Sequence, residues 1–176
     1  MSSGATLDLR DRVRDVADFP KPGIVFKDLM PLVADPTYFH ETLDRLEALA
    51  RPQRPDVILG AEARGFIFGG ALADRLGCGF VPARKPGKLP WSTVEATYEL
   101  EYGTDSLQVH ADAIGRGARV IVHDDVLATG GTAKAKTELV EQLGGQVVGL
   151  LFVVELTFLN GRDRLSGYDV TSLIEY

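Results

Sequence analysis

The chain of 176 residues has a single cysteine, Cys78, so it can form neither a disulfide framework nor a cysteine-based metal site. It contains no run of about 18 apolar residues, and we therefore expect no segment to span a membrane. The first 20 residues carry charges throughout and lack an apolar centre, which predicts that no signal peptide is present. A formal net charge of −6 disfavours free nucleic acid as the main partner. Together these absences predict a cytoplasmic protein.

The composition that remains is that of an ordinary globular protein, with 45% hydrophobic and 25% charged residues and a length that suits one domain. Apolar runs alternate with amphipathic segments, which predicts an α/β fold with a mostly parallel, five-stranded, doubly wound sheet flanked by helices. We expect strands at residues 56–60, 80–83, 119–123, 147–154 and 171–174. Helices are expected at residues 7–16, 36–51, 66–77 and 132–143. A long loop at residues 84–93 precedes a hairpin predicted at residues 97–110.

The chemistry concentrates in the segment VIVHDDVLATGGTA, residues 120–133. Its apolar start predicts a strand that ends in an acidic turn at Asp124 and Asp125, and residues 129–132 lead into a helix. Glycines let a backbone approach phosphate closely, and the N-terminus of a helix favours negative charge. The acidic pair would repel a phosphate, so we expect it to hold sugar hydroxyls or a hydrated Mg²⁺. The alternative is a purely structural role, in which the pair only forms a turn and caps the helix.

Two other loops leave predicted strand ends and carry charge. One is residues 61–65, with Glu62 and Arg64, and the other is the basic loop of residues 84–93. Ligands of open α/β sheets bind beyond the carboxyl ends of the strands, so we expect these loops to join the acidic segment in one site. Taken alone, each could be a surface salt bridge or a solvated face. No Walker-type loop is present, and no strand is followed by G-x-G-x-x-G, so the phosphate site is of another kind.

The 120–133 segment resembles the ribose-phosphate loop of type I phosphoribosyltransferases, which use 5-phosphoribosyl 1-diphosphate (PRPP). Other segments narrow the resemblance to the adenine phosphoribosyltransferase family: DFPKPGIVFKD (residues 18–28), GAEARGFIFG (60–69), RKPGKLP (84–90), LEYG (100–103) and VELT (154–157). The resemblance covers nearly the whole chain. It implies a small N-terminal hood (residues 1–35) and a core (residues 36–176), with the loop and hairpin of residues 84–110 lying flexibly over the active site.

The family's activity would be transfer of the phosphoribosyl group from PRPP to adenine, giving AMP and diphosphate, with Mg²⁺ held mainly through substrate and water near the acidic pair. A homodimer is also implied. The resemblance implies that the ribose hydroxyls are held by Asp124 and Asp125 and that the 5-phosphate is bound by Ala128, Thr129, Gly130, Gly131 and Thr132. It implies that the diphosphate is bound by Glu62, Ala63, Arg64, Arg84, Lys85 and Lys88. It also implies that adenine is bound by Ile24, Val25, Phe26, Lys27 and Tyr102, and that Glu101 exchanges a proton with the base. A cis peptide bond between Glu62 and Ala63 is a further family trait. Lys27 stands where many members have arginine, so its contact to the base would be single rather than bidentate.

Two alternatives stay open. The chain could be a phosphoribosyltransferase for another base, such as xanthine or orotate. It could also be a regulator that senses PRPP without turnover, although such a protein would be expected to carry a nucleic-acid-binding segment or a basic face. The acidic pI of about 5.1 and the presence of Glu101 count against the regulator.

Overall fold

The structure, a computed structural model, describes residues 7–99 and 103–176 and divides the chain into two units. The first unit ends at Arg45, and the second comprises Leu46–Tyr176. The boundary falls inside one helix, so the predicted hood of residues 1–35 stays a prediction. None of the described helices combines the length and the apolar character that crossing a bilayer requires.

The first unit begins with a 3-10 turn at Leu9–Arg12 and continues into a strand, so the predicted helix at residues 7–16 is wrong. Strand β1 (Arg14–Ala17) pairs antiparallel with β2 (Val25–Asp28). Ion pairs between the two strands support this ladder, with Arg14 Nη2 2.7 Å from Asp28 Oδ2 and Lys27 Nζ 2.7 Å from Asp15 Oδ1. Pairing with a partner further along the chain therefore outweighs the local helical spacing of a few apolar residues. Helices α1 (Met30–Ala34) and α2 (Pro36–Ala50) follow.

Within the described part of the second unit, the main sheet has five parallel strands in the order β4-β3-β7-β8-β9, which confirms the predicted fold class. The strands are β3 (Val57–Ala61), β4 (Gly79–Ala83), β7 (Arg119–Leu127), β8 (Gln146–Glu155) and β9 (Val170–Glu175). Helix α3 (Arg64–Leu76) connects β3 to β4, and α4 (Gly131–Gln142) connects β7 to β8. The antiparallel hairpin is β5 (Thr93–Glu99) and β6 (Thr104–His110). Its strand β6 is joined to the end of β4 by hydrogen bonds between Arg84 and Gln108.

The two helices cover opposite faces of this sheet. Neighbouring residues of a strand point in opposite directions, so the contacts of β7 identify the helix on each face. Val122 of β7 belongs to the apolar core that also contains Leu139 and Val140 of α4. The next residue, His123, faces α3, with its ring centroid 6.3 Å from that of Phe68.

Strand β7 is longer than predicted, and this changes the setting of the acidic pair. Asp124 and Asp125 were expected to form an acidic turn, but Asp124 pairs with Phe152 and Leu127 pairs with Glu155 in the parallel ladder. The acids therefore lie on the strand itself. Consecutive carboxylates on a strand must leave it on opposite faces.

Candidate active site

Three of the predicted loops leave the carboxyl ends of neighbouring strands. Residues 84–85 follow β4, residues 62–64 follow β3, and residues 128–130 follow β7. Since parallel strands end at the same edge of a sheet, these charged and glycine-containing segments lie together. That edge is where ligands of open α/β sheets bind.

The loop after β7 presents free backbone donors. Gly130 precedes α4 with φ +82°, a left-handed conformation that favours glycine. Within the described residues, the N–H groups of Thr129, Gly130 and Gly131 donate to no protein acceptor. Unused donors at the start of a helix are suited to an anion such as a phosphate monoester.

Gly161 packs against the backbone of this loop, a contact that no sequence motif indicated. A Cβ on Gly130 would overlap the carbonyl oxygen of Gly161, and a Cβ on Gly161 would overlap that of Ala128. The adjacent Arg162 is held by the buried Glu155, whose two carboxylate oxygens accept from Arg162 Nε and Nη2, each at 2.7 Å. This pair lowers the pKa of Glu155 and raises that of Arg162.

The acidic pair has one cationic partner on each face of the sheet. Asp124 Oδ2 lies 2.7 Å from Lys136 Nζ of α4, and its Oδ1 accepts from the amide of Asp125 at 3.0 Å. Asp125 is buried and forms an ion pair with Arg64 at the start of α3. Burial, together with the charge of Asp124, raises the pKa of Asp125 to about 6 even though Arg64 acts in the opposite direction.

The basic residues at the end of β4 are held by acids. Glu62 Oε2 accepts from Arg84 Nη2 at 2.9 Å, and its Oε1 accepts from the backbone N–H of Lys85 at 2.6 Å. Burial tends to raise the pKa of Glu62, but these hydrogen bonds outweigh burial and hold the pKa below its usual range. The ammonium of Lys85 pairs with Asp105 of the hairpin, while Lys88 is exposed. The basic side chains of Arg84 and Lys85 are thus fixed by acidic partners at the end of β4.

The peptide bond between Glu62 and Ala63 is cis, as the family resemblance led us to expect. Next to it, Gly65 lies so close to the acidic pair that a Cβ there would be 2.8 Å from Asp124 Oδ1. The first turn of α3 is thus in direct contact with the end of β7.

His123 is fully buried between the sheet and α3, where burial lowers its pKa to about 4. It is neutral at physiological pH and has a structural setting.

The described residues contain no cluster of three or more His, Cys, Asp or Glu side chains suited to a metal ion. Asp124 and Asp125 lie on the strand that leads into the loop, and each already has a cationic partner. This donor set does not form a cage. It fits a Mg²⁺ ion that is bound mainly by substrate oxygens and water.

The residues assigned to adenine belong to the first unit or lie outside the described part. Ile24 and Val25 are exposed in the first unit, and Phe26 makes an edge contact with Phe19 at 5.2 Å between ring centroids. Lys27 pairs with Asp15. Glu101 and Tyr102 lie outside the described residues.

Comparison with known proteins agrees with this geometry. A family model described as phosphoribosyl transferase domain matches residues 44–172. An adenine phosphoribosyltransferase of Solibacter usitatus is 58% identical over 169 residues, which cover 96% of this chain and 98% of that protein. The crystal structure of an adenine phosphoribosyltransferase from Thermoanaerobacter pseudethanolicus superposes with a TM-score of 0.94 at 52% identity, covering 96% of this chain and 98% of that one. An adenine phosphoribosyltransferase from Saccharomyces cerevisiae, crystallised with adenine and an imino-altritol bisphosphate, gives a TM-score of 0.90 at 43% identity, covering 94% and 96%.

Proposed function

The chain belongs to the adenine phosphoribosyltransferase family, and from that premise we propose that it transfers the 5-phosphoribosyl group of PRPP to adenine, giving AMP and diphosphate in purine salvage. The observation that carries this proposal is the loop after β7. It combines unused backbone donors for a phosphate with two carboxylates for a ribose diol, beside a cluster of basic side chains.

Charge and geometry support the donor-side roles that the resemblance implies. The N–H groups of residues 129–131 bind the 5-phosphate, and Asp124 and Asp125 accept hydrogen bonds from the ribose hydroxyls. Arg64, Arg84, Lys85 and Lys88, with the Glu62–Ala63 peptide, bind the diphosphate. Neutralising this group as it leaves lowers the barrier to substitution at the anomeric carbon, where an oxocarbenium-like charge develops near the acidic pair.

Mg²⁺ would be held through the substrate and water near Asp124 and Asp125. When bound, it supplies further neutralisation of the diphosphate.

On the acceptor side, we propose that Ile24, Val25, Phe26, Lys27 and Tyr102 bind adenine and that Glu101 takes the proton that the base loses as it bonds. The finer family expectations, a homodimer in the cytoplasm, belong to the same proposal.

A base panel tests this function. Purified protein is assayed with PRPP, Mg²⁺ and one of adenine, hypoxanthine, guanine, xanthine or orotate, with nucleotide products separated by chromatography. We expect turnover with adenine. Turnover with another base while adenine fails would reassign the acceptor, and PRPP binding without turnover of any base would favour the regulator.

A further inference from the structure

Lys136 is a buried ammonium group that the steps proposed above do not use. Its side chain is 0% exposed, and its Nζ donates to Asp124 Oδ2 at 2.7 Å and to the carbonyl oxygen of His123 at 2.8 Å. A buried ammonium is stable only when its charge and its donors are matched, so these two contacts account for its presence in the core.

The two cations beside the acidic pair differ in their freedom. Asp124 and Asp125 leave β7 on opposite faces, and each meets a cation from the helix on its own face. Arg64 has a side chain that is 41% exposed, so it can turn towards an arriving anion. Lys136 is enclosed and can only stay with Asp124.

Asp124 is therefore held from several sides. Lys136 donates to Oδ2, and the amide of Asp125 donates to Oδ1 at 3.0 Å. The backbone of Gly65 also packs against Oδ1, so closely that a Cβ at position 65 would lie 2.8 Å from it. A carboxylate fixed in this way keeps a single orientation, which is the condition for aligned hydrogen bonds to a substrate diol.

We propose that Lys136 is a positioning residue for PRPP. It fixes the carboxylate of Asp124 in the orientation that accepts from the ribose hydroxyls, and it cancels one of two adjacent negative charges that would otherwise repel an anionic donor. This inference rests on the proposed function, because it assumes that Asp124 meets the ribose of PRPP.

Lys136→Met tests the proposal, with Lys134→Met as the matched control. Both lysines lie on α4, and both substitutions remove one positive charge. The side chain of Lys134, however, is 39% exposed, and its ion pair with Glu138 is long, with 4.0 Å between Nζ and Oε1. We expect Lys136→Met to lower kcat/KM for PRPP at least tenfold, chiefly through KM for PRPP, with KM for adenine unchanged. Lys134→Met should stay within twofold of the unsubstituted protein.

A folded Lys136→Met protein, checked by circular dichroism, that matches Lys134→Met in kcat/KM would overturn the proposal and leave Lys136 a purely structural role. If the unsubstituted protein forms no AMP, the proposed function fails instead, so the two failures are distinguishable.

A double-substitution cycle decides the case in which Lys136→Met does not fold. Asp124→Asn/Lys136→Met removes the buried charge together with its partner and is expected to fold. If Lys136 acts through Asp124, the double variant should have the same kcat/KM for PRPP as Asp124→Asn within twofold. A further tenfold loss in the double variant would show that Lys136 acts by another route and would refute the proposal.

Discussion

Gly161→Ala is expected to damage the phosphate loop even though Gly161 has no proposed contact with a substrate. A Cβ at position 161 would overlap the carbonyl oxygen of Ala128 and lie 3.1 Å from the nitrogen of Gly130. Both atoms belong to the backbone, so the loop itself has to shift, by on the order of 1 Å, a displacement that can cost about 100-fold in rate. We expect kcat/KM for PRPP to fall about 10- to 100-fold. Overpacking should also lower the free energy of unfolding by about 1–3 kcal/mol.

The assay is the initial rate of AMP formation with PRPP varied at saturating adenine, accompanied by circular dichroism and urea unfolding. Gly70→Ala is the matched control, because a Cβ at this position in α3 meets no atom within 4 Å. The control should keep its kcat/KM and gain about 0.5–1 kcal/mol of stability. A folded Gly161→Ala protein with the kcat/KM of Gly70→Ala would refute the reasoning that Gly161 sets the shape of the loop.

Three further predictions concern other residues. Glu101→Gln should lower kcat about 100-fold, because the base loses its proton acceptor, while the calorimetric Kd for PRPP stays nearly unchanged; an unaltered kcat would contradict that role. Arg162→Met should cost about 1–3 kcal/mol in urea unfolding, because the buried Glu155 loses both guanidinium donors, and equal unfolding midpoints would argue against this. His123→Leu should remove a loss of stability that His123 causes as the pH falls. In the unfolded chain His123 gains a proton below about pH 6.5, whereas in the folded chain it stays neutral down to about pH 4. The free energy of unfolding therefore falls as the pH drops through this window, by roughly 3 kcal/mol in all. Asp125, whose pKa is raised, contributes with the opposite sign in the unsubstituted protein and in the variant. The difference between the free energies of unfolding of the two proteins, measured by urea at each pH, therefore isolates His123. A difference that does not change with pH would contradict the prediction.

The strands of the main sheet were predictable because each is a short apolar run bounded by turn residues. The strand expected at residues 56–60 is β3 (Val57–Ala61), and the strand expected at residues 80–83 is the edge strand β4 (Gly79–Ala83). The start of α2 was also predictable, because Asp35 followed by Pro36 is a typical helix start. In the structure, the side chain of Asp35 accepts a hydrogen bond from the amide of Thr37 at 3.0 Å.

The errors arose where distant pairing decides the local structure. Polar residues 124 and 125 were expected to end a strand, but pairing with β8 carries β7 through them to Leu127. The predicted helix at residues 7–16 failed for the same reason, since β1 forms only through its pairing with β2.

The site was predictable where a short motif carries the chemistry, and hidden where a contact joins distant segments. The spacing of Ala133, Lys136 and Val140 places a lysine on the buried face of α4, a signal that could have marked Lys136. No local pattern indicates that Gly161 touches the loop of residues 128–130, which lies more than 30 residues earlier in the chain, or that Asp105 holds Lys85.

The most direct test of the central claim is phosphorus NMR of PRPP mixed with adenine, Mg²⁺ and the purified protein. We expect the PRPP signals to be replaced by those of AMP and diphosphate in equal amounts, with no such change when adenine is omitted. PRPP that stays intact in the complete mixture, or that yields diphosphate without AMP, would contradict the assignment of this chain as an adenine phosphoribosyltransferase.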